Sequence, residues 1–328
     1  MGGDDAPDAV VKGAIQAVRH AEQDTTILLV GPEADVQAAL DAHPDVPPDG
    51  VEVVHAPDVI GMAEAPAAAV KQKTNSSIHQ GLAAHHDEKA DAFVSAGNTG
   101  AIMGAAMFIL GRIPGVERPS IAGFFPNLRG SSVVLDIGSN VDCKPNHLVQ
   151  FARMGTIYAR RALGNDDPTV GLLNIGEEPG KGDELAKQAY DRLQAADDVH
   201  FVGNVEGGDL LLYAADIIIC DGFVGNVLLK FGESMTTVLS EMTQQEMDRQ
   251  ALDADEQALV ANVLGEVRKH FDPESLGGAP LLGVDGNVLV GHGSSSPDVI
   301  EQMIHTASSL AGTDMVPALR AAFQSPAA

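Results

Sequence analysis

Short apolar runs that end in glycine or asparagine recur along the whole chain, and helix-like patterns separate them. Runs of this kind are typical of strands buried on both faces of a parallel sheet, and their alternation with helices predicts a mostly parallel, doubly wound α/β fold. Ligands of such sheets bind beyond the carboxyl ends of the strands, so the turns after these runs are the candidate sites. The runs are TTILLVG at 25–31, VEVVHA at 51–56, DAFVSAGNTG at 91–100, SSVVLDIGSN at 131–140, TVGLLNIG at 169–176, VHFVGN at 199–204, DIIICDGFVGN at 216–226 and NVLVGHGSS at 287–295.

Two stretches depart from this alternation. Residues 232–272 show no strand pattern, and their apolar positions recur at helical spacing around an acidic break at LDADEQ, which predicts a helical hairpin. Its apolar stripe packs on the body, on a second subunit or on a membrane, and packing within an oligomer is the default expectation. The chain opens with the turn-like MGGDDAP, from which we expect that an initial strand is absent.

The charge balance excludes one class of partner. Lys and Arg total 20 against 46 Asp and Glu, a net charge of −26, so no broad basic face for nucleic acid is expected. A surface this acidic stays hydrated where salt screens repulsion, which predicts a salt-rich cytoplasm. No signal-peptide pattern and no apolar run of about 18 residues is present, so we expect a cytoplasmic protein. Cys143 and Cys220 lack the spacing of a zinc site or a disulfide framework.

The turn GEEPGKG at 176–182 carries Lys181 between an apolar run and a helical pattern that begins near Asp183. A nucleotide-binding P-loop places four residues between its first glycine and the Gly-Lys pair, and Ser or Thr follows. Here only GluGluPro separates Gly176 from Gly180, and a glycine follows the lysine, so this turn is not a P-loop. What remains is a strand, a turn with a lysine, and a helix, which can aim N–H groups and an ammonium at an anion.

Two further turns carry groups suited to anions. Asn98, Thr99 and Gly100 stand between a buried strand and an apolar helix, where N–H groups and a hydroxyl can face a phosphate or an oxyanion. The structural alternative is a turn with Thr99 as the helix N-cap. His292 lies between glycines ahead of three serines, in a second candidate anion site where it can act as an acid or a base.

The remaining candidates follow two other strands. Asn140 and Lys144 come after one strand end, where the alternative is a surface ion pair of Asp142 with Lys144. Asp221 and Asn226 come after the strand that begins at residue 216. There a carboxylate and an amide can orient substrate or bind an oxyanion, and the alternative is a purely structural turn. No GxGxxG, GxSxG or HExxH pattern is present.

Taken together, these segments resemble the bacterial phosphate acyltransferase family over nearly the whole chain. The resemblance implies one phosphate acyltransferase domain over residues 1–328, with a three-layer α/β/α fold akin to isocitrate dehydrogenase and phosphate acetyltransferase and a protruding helical hairpin at about 232–272. It also implies a homodimer in which long-chain acyl-[acyl carrier protein] and inorganic phosphate give acyl phosphate for phosphatidic acid and phospholipid synthesis. The matching stretches include ADAFVSAGNTGA, VLDIGSNVDCKPNHLVQFARMGTIYA, VGLLNIGEEPGKGDELAKQAY, CDGFVGNVLLK and GGAPLLGVDGNVLVGHGSSS.

The implied reaction assigns roles to the candidate residues. Phosphate is already nucleophilic near neutral pH, so such an enzyme must hold anions together and stabilise a tetrahedral oxyanion, without a metal or other cofactor. We expect Lys181 to be the cation on phosphate or oxyanion, Asn226 to be a hydrogen-bond donor, and His292 to be the acid for the departing thiol. The phosphate and substrate contacts are then Asn98, Thr99, Gly100, Asn140, Lys144 and Asp221.

The expected partners are acyl carrier protein and inorganic phosphate, with a glycerol-3-phosphate acyltransferase downstream. The hairpin is acidic, which weakens attraction to anionic lipid, so only a weak peripheral contact with the inner face of the membrane is expected. Alternatives are a short-chain acyl-CoA:phosphate acyltransferase, a metal-dependent hydroxy-acid dehydrogenase and a non-catalytic membrane-peripheral scaffold. Because the carrier is acidic too, a local basic patch is expected, with candidates Arg112, Arg118, Arg129, Arg153, Arg160 and Arg161.

Two features stay outside this assignment. Relatives in the family usually have a short strand ending in Asp-Ala ahead of the Met-Gly-Gly-Asp turn, and many have His where this chain has Asp5, so no catalytic role is given to that position. Glu177 and Glu178 place two carboxylates beside the proposed anion site, and the sequence offers no role for them.

Overall fold

The computed structural model describes residues 1–21, 25–43, 50–270 and 277–324. The chain divides into two compact units. The first unit comprises Met1–Ile121, Ile157–Asp166 and Leu276–Ala328, and the second comprises Ala122–Thr156 and Asp167–Ser275. The single domain over residues 1–328 and the absent first strand stay predictions.

Strands and helices alternate along most of the described chain. The strands are β1 Ile27–Gly31, β2 Val51–His55, β3 Phe93–Ser95, β4 Ser120–Ile121, β5 Gly123–Asn127, β6 Gly130–Leu135, β7 Thr169–Asn174, β8 His200–Glu206, β9 Ile217–Ile219, β10 Ala279–Leu282 and β11 Val288–Val290. The helices are α1 Asp8–His20, α2 Glu33–Asp41, α3 Pro66–Gln72, α4 Ser77–His86, α5 Thr99–Ile109, α6 Pro145–Ala162, α7 Glu184–Gln194, α8 Gly222–Arg249, α9 Ala254–His270, α10 Pro297–Ala311 and α11 Met315–Gln324, with a 3-10 turn at Leu210–Leu212.

The first unit contains two small sheets. Strands β1 and β2 form a parallel pair, and a second sheet has the order β3-β11-β10-β4. Within it β3 and β11 are parallel, and β10 is antiparallel to both of its neighbours. The carboxyl ends of β3 and β11 therefore lie at one edge of this sheet, and the turns with Asn98 and His292 follow those two ends.

Helices α1 and α10 pack closely in the first unit, although one lies near the start of the chain and the other near its end. Gly13 allows the approach, because a Cβ at this position would lie 2.6 Å from Ile300 Cβ. Polar contacts flank the apolar one: Gln16 Nε2 donates to Asp298 Oδ1 at 3.0 Å, and His20 Nδ1 lies 2.6 Å from Glu301 Oε1.

A cavity of about 440 Å³ lies within the first unit, lined by β1, β3 and residues of α1, α4 and α10. Its walls are largely apolar side chains such as Val11, Ile78 and Ile300. Within the described part of the chain β1 pairs only with β2 and β3 only with β11, so each of these lining strands keeps one unpaired edge.

The second unit is built on a five-stranded sheet with the order β5-β6-β9-β7-β8. The four strands β6, β9, β7 and β8 are parallel, and β5 is an antiparallel edge strand. Ile219 pairs with Leu135 on one side and with Leu172 on the other, so the central strands end almost level. The α/β class with parallel strands is confirmed, while backbone pairing distributes the strands over three sheets.

Helices α8 and α9 form the predicted hairpin of the second unit. Helix α8 begins at Gly222, before the predicted start at residue 232, because Asp221 caps it directly after β9. The two helices are joined at the acidic break, and α9 ends at His270, so the predicted end at 271–272 lies outside the described residues. No helix in the described ranges has the length and apolar character needed to cross a membrane.

Candidate active site

Five of the predicted site residues belong to one edge of the second-unit sheet. Asn140 and Lys144 follow the carboxyl end of β6, Asp221 and Asn226 follow that of β9, and Lys181 follows that of β7. Because these three strands are parallel neighbours, their following turns gather at the same edge. The topology therefore supports the prediction that strand-end turns of this unit share one region.

The loop after β6 is organised by a carboxylate that the sequence analysis did not select. Asp136 is fully buried, with 0% exposure. Its Oδ1 accepts the backbone N–H groups of Gly138 and Ser139, both at 2.8 Å, and its Oδ2 accepts Ser139 Oγ at 2.6 Å and Asn140 Nδ2. The signal in the sequence is an aspartate at a strand end followed by Gly-Ser-Asn, residues that readily form side-chain-to-backbone turns.

Asn140 points into this network. It is buried, its amide donates to Asp136, and its backbone oxygen accepts Gly222 N–H at 2.8 Å and Cys143 Sγ at 3.3 Å. Lys144 differs, since its side chain is exposed and the alternative, an ion pair with Asp142, does not form among the described residues. Of the two, Lys144 has the ammonium available to an anion, and anion contact by either residue stays a prediction.

The turn after β9 places Asp221 and Asn226 differently. Asp221 is the N-cap of α8, and its Oδ1 accepts Val224 N–H at 2.8 Å. Asn226 is exposed on the first turns of α8 and packs next to the β6 loop, where a Cβ at Gly138 would lie 3.4 Å from Asn226 Cβ. The capping bond supports the structural alternative for Asp221, whereas the amide of Asn226 is accessible to a ligand.

Cys220 precedes this cap and is buried. Burial raises the pKa of its thiol well above the usual value, and the negative charges of Asp136 and Asp221 raise it further. The thiol therefore stays protonated at neutral pH, which is unfavourable for a nucleophilic role.

The loop after β7 presents Lys181 from a fixed backbone. Lys181 N–H donates to the Glu178 carbonyl at 3.0 Å, and Asn174 Nδ2 donates to the Lys181 carbonyl at 3.1 Å. Asn204, on the neighbouring strand β8, donates its amide to the Glu178 carbonyl at 2.9 Å. Helix α7 begins at Glu184 with Asp183 as its N-cap, which confirms the predicted helix start. The loop is thus held by amide side chains while the lysine side chain stays 50% exposed.

The two glutamates of this loop behave differently. Glu178 Oε2 lies 3.8 Å from Lys181 Nζ, and both side chains pass over Gly176, where a Cβ would lie 3.0 Å from Lys181 Cγ. An exposed pair at this distance contributes about 0–1 kcal/mol. Glu177 is exposed and makes no polar contact with any described residue. Glu178 therefore acts as a weak counterion to Lys181.

In the first unit the turn after β3 is capped differently from the alternative that the sequence suggested. The N-cap of α5 is Asn98 rather than Thr99, because Asn98 Oδ1 accepts Ala101 N–H at 3.1 Å and Thr99 is already helical. Asn98 is buried, and its amide nitrogen donates to the carbonyl groups of Gly61, Met62 and Glu64 at 3.1–3.2 Å. These contacts commit its side chain to holding the turn.

Thr99 and Gly100 occupy the first helical positions of α5, where backbone N–H groups lack intrahelical partners. Close packing also favours glycine at position 100, since a Cβ there would lie 2.7 Å from Pro66 Cγ. Both residues are exposed, so their N–H groups are the part of this turn that can meet an anion. Their place in a phosphate cradle stays a prediction.

His292 follows β11 in the first unit and is exposed. Its Nδ1 lies 2.7 Å from Ser294 Oγ and accepts Ser294 N–H at 3.4 Å, which places the proton of the neutral ring on Nε2. The opening turn of the chain contacts the same loop, because Asp4 N–H donates to the Gly293 carbonyl at 2.7 Å. This contact gives MGGDDAP a structural role in fixing the loop that carries His292.

The six arginines expected to form a carrier-binding patch are largely engaged in local contacts. In the first unit Arg161 pairs with Asp314 at 3.4 Å. In the second unit Arg153 pairs with Asp198 at 2.8 Å, and Arg129 lies over the Tyr213 ring with its guanidinium carbon 4.4 Å from the centroid. A single basic patch stays a prediction.

Solved structures with the same architecture define the fold class. A phosphotransacetylase from Streptococcus pyogenes matches with a TM-score of 0.61 and 17% identity, covering 93% of this chain and 91% of that chain. A branched-chain phosphotransacylase from Enterococcus faecalis V583 matches with a TM-score of 0.60 and 15% identity, covering 95% and 97%. At these identities the likeness shows the fold, which this chain shares with enzymes that transfer acyl groups.

Sequence similarity narrows the class to one family. Residues 1–317 match the family described as "Fatty acid synthesis protein". A phosphate acyltransferase from Salinibacter ruber is 71% identical over 328 residues, which is 100% of this chain and 97% of that protein. One from Chlorobaculum parvum is 48% identical over 315 residues, or 94% of this chain and 92% of that protein. The chain belongs to the phosphate acyltransferase family and is an acyltransferase.

Proposed function

We propose that this acyltransferase moves a long-chain acyl group from acyl-[acyl carrier protein] to inorganic phosphate and so supplies acyl phosphate for phospholipid synthesis. The observation that carries the proposal is the carboxyl edge of the five-stranded sheet. There a fixed turn presents Lys181, and the side chains of Lys144 and Asn226 are exposed. Two ammonium groups and an amide suit an inorganic anion better than an apolar or cationic ligand.

In the proposed reaction a phosphate oxygen attacks the thioester carbonyl carbon. The new C–O bond turns the carbonyl oxygen into an oxyanion, after which the C–S bond breaks and the pantetheine thiolate leaves and takes up a proton. Lys181 neutralises phosphate or the oxyanion, and Asn226 donates a hydrogen bond to it. The roles of His292, in its protonated form, as the acid for the thiolate and of the Thr99 and Gly100 N–H groups in phosphate binding stay predictions from the sequence.

The identity of the acyl donor is the finer part of the proposal. Phosphate-dependent thiol release should be measured with palmitoyl-carrier protein and with acetyl-CoA, each with phosphate omitted as the control. We expect a higher kcat/KM with palmitoyl-carrier protein and no release without phosphate. A preference for acetyl-CoA would favour the short-chain alternative, and phosphate-independent release would contradict acyl transfer to phosphate.

We also propose that the hairpin mediates a homodimer. Helix α8 exposes a stripe of apolar side chains at intervals of three or four residues, which places them on one helix face. The same hairpin carries acidic residues such as Glu241 and Glu246, which disfavour anionic lipid, so membrane contact is weak and a second copy is the proposed occupant. A monomer in sedimentation equilibrium at high KCl would contradict this. The stripe is Phe223, Val227, Phe231, Met235, Val238 and Met242, between 38% and 63% exposed.

A further inference from the structure

We propose that Asp136 is a positioning residue for phosphate, because it ties the loop after β6 to the beginning of α8 and so sets where Asn226 and Lys144 stand. This inference rests on the proposed function of the sheet edge. Asp136 itself is buried, and its side-chain hydrogen bonds go to Gly138, Ser139 and Asn140, so its effect passes through these residues.

The hydrogen-bond donors of the loop after β6 point inward, onto Asp136. A buried carboxylate costs several kcal/mol unless hydrogen bonds replace its water. Four donors from Gly138, Ser139 and Asn140 do so here. The N–H groups that a phosphate-binding loop would offer to its ligand are therefore already bound to an internal anion. This loop is a support rather than the cradle.

The loop after β6 is also connected to the beginning of α8. The Asn140 carbonyl accepts Gly222 N–H at 2.8 Å, which joins the loop to the first residue of the helix. Asp136 also makes a close backbone contact with the same helix, because its carbonyl oxygen leaves no room for a Cβ at Gly225. Asn226, the next residue, packs beside Gly138. A shift of the loop would consequently move the amide that we assign to phosphate or the oxyanion.

The same sheet offers a matched control in Asp216. Its Oδ2 accepts Thr169 N–H at 2.8 Å and Thr169 Oγ1 at 2.7 Å, and its Oδ1 accepts Tyr213 OH at 2.9 Å. Asp216 precedes β9 and therefore lies at the amino edge, opposite to the edge that carries the candidate site. Three hydrogen bonds join its carboxylate to Thr169 and Tyr213, which lie at the same amino edge.

The experiment compares Asp136→Asn with Asp216→Asn and, as a milder variant, Ser139→Ala. The free energy of unfolding is measured in urea, and KM is measured separately for phosphate and for the acyl donor. We expect Asp136→Asn to raise KM for phosphate by about 10-fold or more, because a displaced Asn226 loses its hydrogen bond to the phosphate anion. KM for the acyl donor should change less. In Ser139→Ala, KM for phosphate should also rise more than KM for the acyl donor, but both changes should be smaller than in Asp136→Asn.

Asp216→Asn should lower stability and leave both KM values unchanged. The inference is overturned if Asp136→Asn keeps the wild-type KM for phosphate, or if both aspartate variants change the kinetics in proportion to their loss of stability. Should Asp136→Asn fail to fold, an unchanged phosphate KM in Ser139→Ala would overturn it instead. Failure of the proposed function is distinguishable, since the wild-type chain would then release no thiol in response to phosphate.

Discussion

Two loops at the same edge of the five-stranded sheet direct their polar groups in opposite directions. The loop after β6 turns its N–H groups and the Asn140 amide inward onto buried Asp136. The loop after β7 is fixed through its carbonyl groups by Asn174 and Asn204, and its lysine side chain stays outside. The β6 loop is therefore a structural support. The β7 loop is held by asparagines of β7 and β8 and presents the side chain of Lys181.

The difference shows that an anion-binding turn cannot be recognised from its composition alone. Both loops combine glycine with a lysine, yet the N–H groups of the β6 loop are already bound to the buried carboxylate of Asp136. In the β7 loop the hydrogen bonds from Asn174 and Asn204 go to backbone carbonyl groups, so the side chain of Lys181 stays accessible to a ligand. The proposed phosphate site therefore depends on the β7 loop for charge and on the β6 loop for geometry.

The largest effect is expected from removal of the presented cation. Lys181→Ala should lower kcat/KM by about 10²–10³-fold, the usual loss for one preorganised stabilising group. Because Lys181 is half exposed and its ion pair is weak, the free energy of unfolding should change by less than about 1 kcal/mol. Steady-state kinetics and urea unfolding measure the two quantities.

Lys187→Ala is the matched control for this prediction. Lys187 is an exposed lysine on α7, the helix that follows the same loop. Its removal makes the same change in net charge and should leave kcat/KM near the wild-type value. Equal losses in the two variants would mean that Lys181 acts only through overall charge, and near-native activity of Lys181→Ala would remove it from the site.

A smaller effect is expected from loosening the frame of the β7 loop. Asn204→Ala removes the hydrogen bond to the Glu178 carbonyl and should lower kcat/KM by about 10-fold, since a displaced group loses part of its effect. Hydrogen exchange of residues 175–182 should become faster. Asn127→Ala is the control, because Asn127 bonds Ser132 in the β5–β6 turn. Unchanged hydrogen exchange in Asn204→Ala would show that the hydrogen bond from Asn204 to the Glu178 carbonyl does not hold the loop.

The smallest effect concerns the counterion of Lys181. Glu178→Gln should lower KM for phosphate by about 2- to 5-fold, because an exposed ion pair contributes at most about 1 kcal/mol that phosphate no longer has to replace. Glu177→Gln makes the same charge change one residue away, without the contact to Lys181, and should have less effect. If both variants lower KM equally, general charge repulsion explains the result; if neither does, Glu178 is not a counterion that phosphate displaces.

Local patterns predicted the elements of this fold well. The apolar runs at 169–176 and 216–226 contain β7 and β9, and the run at 131–140 contains all of β6 except its first residue. The helix after GEEPGKG begins where the sequence placed it. Strand order is different in kind, because pairing of β9 between β6 and β7 depends on contacts between distant segments. Local propensity carries no information about such pairing.

The candidate site was predictable to a lesser extent. Exposed Lys181 and Asn226 are recognisable from residue type and position at a strand end. Asp136 is harder to recognise, since the residues after it indicate a turn but do not show that the aspartate is buried and bound by four donors. Asn98 and Thr99 show the same limit, because adjacent residues compete for one cap and tertiary contacts decide which takes it.

The packing of α1 against α10 has a consequence for synthesis on the ribosome. Helix α1 emerges among the first residues of the chain, but its partner surface, including Ile300, is translated only near the end. The first unit therefore cannot complete its core until α10 has been made, whereas the sheet of the second unit is encoded by residues 123–219. Vectorial synthesis favours formation of the second unit first, and a ribosome stalled before α10 would hold an unfinished first unit exposed to chaperones.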